Sequence, residues 1–148
     1  MGWRRQRAVI SFDVEPPQPL VDPLQRFLDA QAPIYETALA ELRAGRKRTH
    51  WMWFIFPQQA GLGTSAMARR FAIQSTAEAE AYLAHPVLGP RLIACAEALL
   101  PHRGTAATTI LGEVDALKLR SSMSLFSSVS PTQPVFQAVL VAFFHGGN

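Results

Sequence analysis

Between Asp22 and the end of the chain, apolar residues recur at helical spacing, and almost every such stretch is closed by a glycine or a proline. Glycine readily takes the left-handed conformation that ends a helix, and proline cannot continue one, so each helix is held to a few turns. Short amphipathic helices bury their apolar stripes only by packing on one another. Asp22, Pro23 and Gln25 stand in the order that starts a helix, predicted over about 23–30. Pro33 opens a second helix with Ile34, Tyr35, Ala38, Leu39 and Leu42 inward, Glu36, Glu41 and Arg43 outward, and Gly45 as its stop. Ser65 caps a segment through Phe71, and Ser75-Thr76-Ala77-Glu78 reads as a capping box for a helix ending near His85. Pro86 or Pro90 opens the next, burying Leu92, Ile93, Ala96 and Leu100. Thr105 to Leu111 gives a turn or two closed by Gly112. Asp115 caps a segment reaching Val129, and Pro131 and Pro134 precede a last helix with Phe136, Val139, Leu140 and Phe143 inward. The expectation is an all-α, compact multihelical single domain of about seven helical segments over 22–148. Residues 1–21, with Pro16, Pro17 and Pro19, read as an extended or mobile arm.

Composition narrows the function classes. With 49% hydrophobic and 17% charged residues the chain has the apolar material for a core and is not a disordered polypeptide. The densest apolar run, Trp51 to Pro57, is far short of the roughly 18 residues a spanning helix needs, so no membrane association is expected. The basic start at Arg4, Arg5 and Arg7 is followed only by Ala8-Val9-Ile10, which does not suit a secretory signal, and the lone Cys95 suits a buried position in a reducing cytoplasm. A net charge of +3, 14 cationic against 11 anionic residues, is too small to argue for nucleic acid. His50, His85, His102 and His145 lie too far apart in sequence for a metal motif, so no metal is expected, and His85 and His102 read as helix caps. Gly61-Leu62-Gly63 lacks the context of a phosphate loop and reads as a turn, and nothing calls for a cofactor.

Two stretches carry functional interest. Arg46-Lys47-Arg48-Thr49-His50 leads into Trp51-Met52-Trp53-Phe54-Ile55-Phe56, where aromatic propensity favours a strand. Its rings are either the main core element behind a solvated basic prefix, or in part a stacking site for a heterocycle, with His50 and Gln58 as polar brackets. In the segment from Asp115 to Phe126, Leu119, Met123 and Phe126 share one face, and Lys118, Ser121 and Ser122 another. That second patch is either an ordinary polar surface or a cation with hydroxyls suited to phosphate, ribose or carboxylate. A nucleophilic Ser–Lys pair would further require Lys118 to be desolvated.

The motifs Leu24-Gln25-Arg26-Phe27, Asp29-Ala30-Gln31, Arg48-x-His50-Trp51-Met52-Trp53-Phe54-Ile55-Phe56-Pro57-Gln58, His85-Pro86-Val87-Leu88-Gly89 and Leu117-Lys118-Leu119-Arg120-Ser121-Ser122-Met123-x-Leu125-Phe126 together resemble a bacterial family numbered 1810 among domains of unknown function. The resemblance spans about 22–146 and implies a mainly helical fold, which favours a buried helix over a strand at Trp51 to Phe56. Members of that family are often labelled calpastatin, but such an inhibitor is a disordered polar chain, unlike this one. The family pattern continues further past Phe143-Phe144 than this chain does, so exposure of part of the core or of a pocket is expected there. More remotely, Asp115, Lys118, Met123 and Phe126 after a tryptophan-rich segment resemble a helical superfamily that processes NAD-derived or ADP-ribose-containing molecules, some of them N-glycosidases.

The expected site is therefore a nucleotide-like ligand held between the two stretches. Trp51 or Trp53 stacks the base, Lys118 and Arg48 hold phosphate, His50 and Gln58 orient the ribose or a water, and Ser121 and Ser122 supply hydroxyls. Glu36, Glu41 and Asp115 are the carboxylates available for glycosidic chemistry, although nothing in the sequence fixes whether a reaction is catalysed. The alternative is a non-catalytic protein-interaction module using apolar surface near Phe143 and Phe144. Nucleic-acid binding through Arg4, Arg5, Arg7 and Arg46 to Arg48 is not favoured, and oligomeric state is left open.

Overall fold

The structure, a computed structural model, describes residues 22–145, so the arm expected over 1–21 lies outside it. The described residues form nine α-helices: α1 (Gln25–Gln31), α2 (Tyr35–Ala44), α3 (Met52–Ile55), α4 (Ala66–Arg70), α5 (Thr76–Ala84), α6 (Leu88–Leu99), α7 (Ala107–Leu111), α8 (Glu113–Val129) and α9 (Pro134–Phe144). A 3-10 turn, Leu100–His102, extends α6. The structure has nine where about seven were expected: α4 and α7 are the short segments expected at 65–71 and 105–111, and the one-turn α3 is the addition. Among the described residues no strand forms, and the sole pairing is an isolated parallel bridge between Gln59 and Ile73.

The long helices α6 and α8 organise the rest: α6 packs on α2, α5 and α9, while α8 packs on α5, α7 and α9. Their inward stripes, Leu92, Cys95, Ala96 and Leu99 on α6 and Leu119, Met123 and Phe126 on α8, are fully buried. A file of rings threads the middle: Phe71 to Phe27 at 5.8 Å between centroids, Phe27 edge-on to Tyr82 at 5.1 Å, Tyr82 to Phe126 at 5.5 Å and Phe126 to Phe136 at 5.8 Å. Tilted and edge-on rings at these spacings stabilise beyond the area they bury. Burial pushes the Cys95 thiol up to about 12, so it is an inert core hydrophobe. Among the described residues no single helix is long and apolar enough to cross a membrane.

Local signals place the boundaries. The Ser65 and Ser75 hydroxyls accept from the Ala68 and Glu78 N–H groups, each at 3.1 Å, and Gly45 ends α2 at φ 77°. The capping box is modified, since the Glu78 carboxylate reaches past Ser75 to the Gln74 N–H at 2.9 Å and pairs with Arg26 at 3.1 Å, tying α5 to α1. Trp51 to Phe56 is not the strand that propensity favoured. Met52 to Ile55 wind one helical turn with Met52, Phe54 and Ile55 buried and Trp53 half-buried, because a mostly enclosed segment needs no alternating pattern and, among the described residues, finds no partner strand.

The histidine caps differ from expectation in two respects. His102 Nε2 meets the Arg43 carbonyl at 2.9 Å, at the end of α2 rather than of its own helix. His85 does not bind carbonyls: its Nδ1 accepts from the Val87 and Leu88 N–H groups at 3.0 and 3.2 Å, capping the start of α6. Substituting His85→Ala is expected to cost about 1 kcal/mol. His85→Asn, which keeps a short acceptor, should recover most of that, and equal thermal melts for wild type and His85→Ala would refute the cap.

Candidate functional site

The site begins with the turn after α2. Beyond Gly45 the chain doubles back, and the Lys47 N–H donates to the Ile110 carbonyl at 2.8 Å, fixing the turn against α7. Glu41, expected on the outer face, is buried instead. Its carboxylate accepts from the Arg48 N–H at 2.8 Å, the Thr49 N–H at 3.1 Å, the Thr49 hydroxyl at 2.8 Å and the Trp51 indole N–H at 2.9 Å. Burial pushes this carboxyl up, but the four donors outweigh it and hold it at about 2, so it stays ionised.

From this hub a chain of charges and rings runs to α8. The Lys47 ammonium stands over Trp51, 5.0 Å from the ring centroid, and pairs with Asp115 Oδ2 at 3.0 Å. Asp115 Oδ1 pairs with Lys118 at 3.1 Å, and the Lys118 ammonium lies 4.7 Å from the centroid of Trp53. The two stretches that the sequence singled out are therefore neighbours.

Trp53 also walls a cleft of about 290 Å³ lined by Gln58, Gln59, Gly61, Arg69, Phe71 and Gln74 among others. Its rim, the loop 58–64, is pinned by the Ile73 N–H donating to the Gln58 carbonyl at 2.7 Å and the Ala60 N–H to the Ile73 carbonyl at 2.8 Å. Gly61 turns the loop at φ 94°, a conformation that side chains disfavour. The Arg69 guanidinium bonds the Thr64 carbonyl across the loop base. Across Gln59 lies a shallower groove of about 450 Å³ bounded by Leu62, Leu117, Arg120, Ser121, Ser124 and Ser128.

Of the expected site residues, Trp53 and Gln58 line the cleft, Lys118 braces Trp53 and Ser121 lines the adjoining groove. Arg48 and His50 are exposed outside both linings. Trp51 and Ser122 are 0% exposed, so neither can meet a ligand. Trp51 is drawn inward by Glu41. Ser122 falls toward the Leu119–Phe126 stripe of α8, whereas Lys118 stands at its margin, so the expected common patch splits. Among the described residues the buried Ser122 hydroxyl finds no hydrogen-bond partner, and Lys118 bonds to Asp115 rather than to a serine, which removes the Ser–Lys pair.

Among the described residues no carboxylate lines the cleft: Glu36 is exposed on α2, Glu41 holds the turn, and Asp115 lies between two ammonium groups. Among the described residues no cluster of three or more His, Cys, Asp or Glu side chains forms. Gln59, Arg69, Phe71 and Gln74 were missed by sequence reasoning, and only the glycines at 61 and 63 signalled a loop there. A second polar cluster was missed as well. Gln31, buried, donates to the Phe54 carbonyl at 2.7 Å and to the Tyr82 hydroxyl at 3.0 Å, and accepts from Arg91 at 3.3 Å, locking α3 to α1, α5 and α6.

Comparison with known proteins places this geometry in context. The family model described as "Protein of unknown function (DUF1810)" matches residues 21–148. The crystal structure of the conserved hypothetical protein Rv1873 from Mycobacterium tuberculosis superposes with a TM-score of 0.82 at 49% identity, covering 86% of this chain and 91% of that one. No curated protein matches.

Proposed function

The chain belongs to the DUF1810 family of unknown function, and from that premise we propose that it binds a nucleotide-like small molecule, of the NAD or ADP-ribose kind, in the Trp53 cleft. The observation that carries this reading is the half-buried indole of Trp53, braced by Lys118 and facing a concave space rimmed by planar amides. An indole offers a stacking face to any heterocycle, and amide side chains offer both donors and acceptors to a ring edge. Phosphate and ribose would extend toward Arg69 or across Gln59 to the groove with Ser121 and Ser124. Arg48 and His50, close in sequence but outside both linings, have at most a peripheral role.

Binding to the folded state raises the melting temperature with ligand concentration. Adenosine, ADP-ribose and NAD, titrated at up to millimolar concentration, are expected to shift the melt and to quench tryptophan emission. Trp53→Ala should weaken binding by roughly 5- to 150-fold, as loss of one base–aromatic stack does. A flat melt with all three compounds sinks the proposal.

A second reading, a non-catalytic interaction module, is favoured by exposed Val114 and Leu117 on α8 and Leu62 on the neighbouring loop, at 67%, 63% and 53% exposure. It does not fall on Phe143 and Phe144, which pack half-buried against the core. Light scattering on an eluting column checks its simplest form, self-association.

A further inference from the structure

Resting on the reading of the Trp53 cleft as a ring-binding site, we propose that this cleft admits an uncharged planar ring and rejects a cationic one, and that Lys118 sets this preference. The Lys47, Asp115 and Lys118 side chains form a linear cluster in which each carboxylate oxygen is already committed to one ammonium, at 3.0 and 3.1 Å. The cluster therefore carries one net positive charge, and the Asp115 carboxylate is already engaged by two ammonium groups.

That charge acts on the stacking surface itself. The Lys118 ammonium is 4.7 Å from the Trp53 centroid, within the range where a cation draws on the negative π face. A second cation stacked on the cleft side of the same indole draws on a π system that already holds one cation, and it is repelled by the ammonium across the ring, in a site partly shielded from water. Arg69, on the rim of the same cleft, adds charge of the same sign, and among the described residues no carboxylate lines the cleft to offset it. The rest of the lining suits a neutral guest, since Gln58, Gln59 and Gln74 present amides that complement a ring edge bearing both donors and acceptors. The chemical class is thus a neutral heterocycle with an amide-like or amidine-like edge, such as a purine or an uncharged carboxamide ring.

Nicotinamide and its N1-methyl cation are nearly matched in shape and differ in charge, so they isolate this effect, with adenosine as a second neutral probe. Titrated against the full chain by tryptophan fluorescence and calorimetry, nicotinamide is expected to bind at least roughly tenfold more tightly than the cation, as a repulsion between like charges at this range implies. Lys118→Met should bring that ratio close to one, mainly by improving binding of the cation. Lys118→Arg, which keeps the charge, should preserve it. Lys118→Gln provides an independent neutral variant should the methionine variant fold poorly.

Equal binding of the two nicotinamides by wild type, or a ratio unchanged in both neutral variants, overturns the charge filter while leaving the ring-binding site standing. If neither nicotinamide nor adenosine binds, the proposed function fails and the filter fails with it.

Discussion

Replacing Glu41 by alanine is expected to destabilise the fold by about 3 kcal/mol, because it strands several donors at once, and a buried donor without a partner costs about 1–3 kcal/mol. The indole N–H of Trp51 is the most exposed to this penalty, since its ring is wholly enclosed and has no route to water. For a domain of this size the melting temperature should fall by on the order of 10 °C. Glu41→Gln, keeping one acceptor, should fall between alanine and wild type.

The same carboxylate gives the fold an acid limit. Its folded value of about 2 lies below its ordinary 4.5, so its stabilising contribution is complete above about 4.5 and is lost as pH falls towards 2. Wild type should therefore lose more stability than Glu41→Gln across that window, and the two curves should converge at its lower end. Parallel curves for the two proteins, or an alanine variant melting within a degree or two of wild type, would show that the turn over 46–51 is held by something other than this carboxylate.

The second large effect is expected at Gly89→Ala, where two rules point in opposite directions. Gly89 lies in the first turn of α6, and by helix propensity alone alanine would stabilise by about 1 kcal/mol. A Cβ at this position, however, would land on the carbonyl oxygen of Leu83 near the end of α5, with the carbonyl carbon 3.0 Å away. That obstacle is backbone and cannot rotate aside. The helices meet at 87°, and the added methyl forces them apart where Tyr82 and Leu88 are buried. Overpacking of this kind costs about 1–3 kcal/mol, and against rigid backbone the upper figure applies, so the net result is a loss of about 2 kcal/mol. Urea denaturation checks the sign directly: a gain in stability would mean that α5 and α6 meet less tightly than the structure places them.

How much of this was legible beforehand depends on the range of the interaction. Gly45, Ser65 and Ser75 act within a few residues, and the helix boundaries they set followed from sequence. Glu41 shows where that reasoning stops. On the helical wheel it sits with the solvent-facing residues, and only the return of the chain after Gly45 brings four donors onto its carboxylate. His85 reversed its role similarly: the sequence placed an imidazole near a helix end, but which end it caps depends on the bend between α5 and α6.

Lys118 and Trp53 were both singled out from the chain, yet their apposition, and the loss of Trp51 and Ser122 to the core, depended on how α3 and α8 pack. The pattern of glycines, prolines and apolar stripes was sufficient by itself for an all-α domain of short helices, since those preferences are written over neighbouring residues. Which indole faces a cleft, which carboxylate is buried and which amides line that cleft were decided only when segments far apart along the chain came together. Burial and charge pairing are properties of that assembled surface, and local spacing carries no record of it.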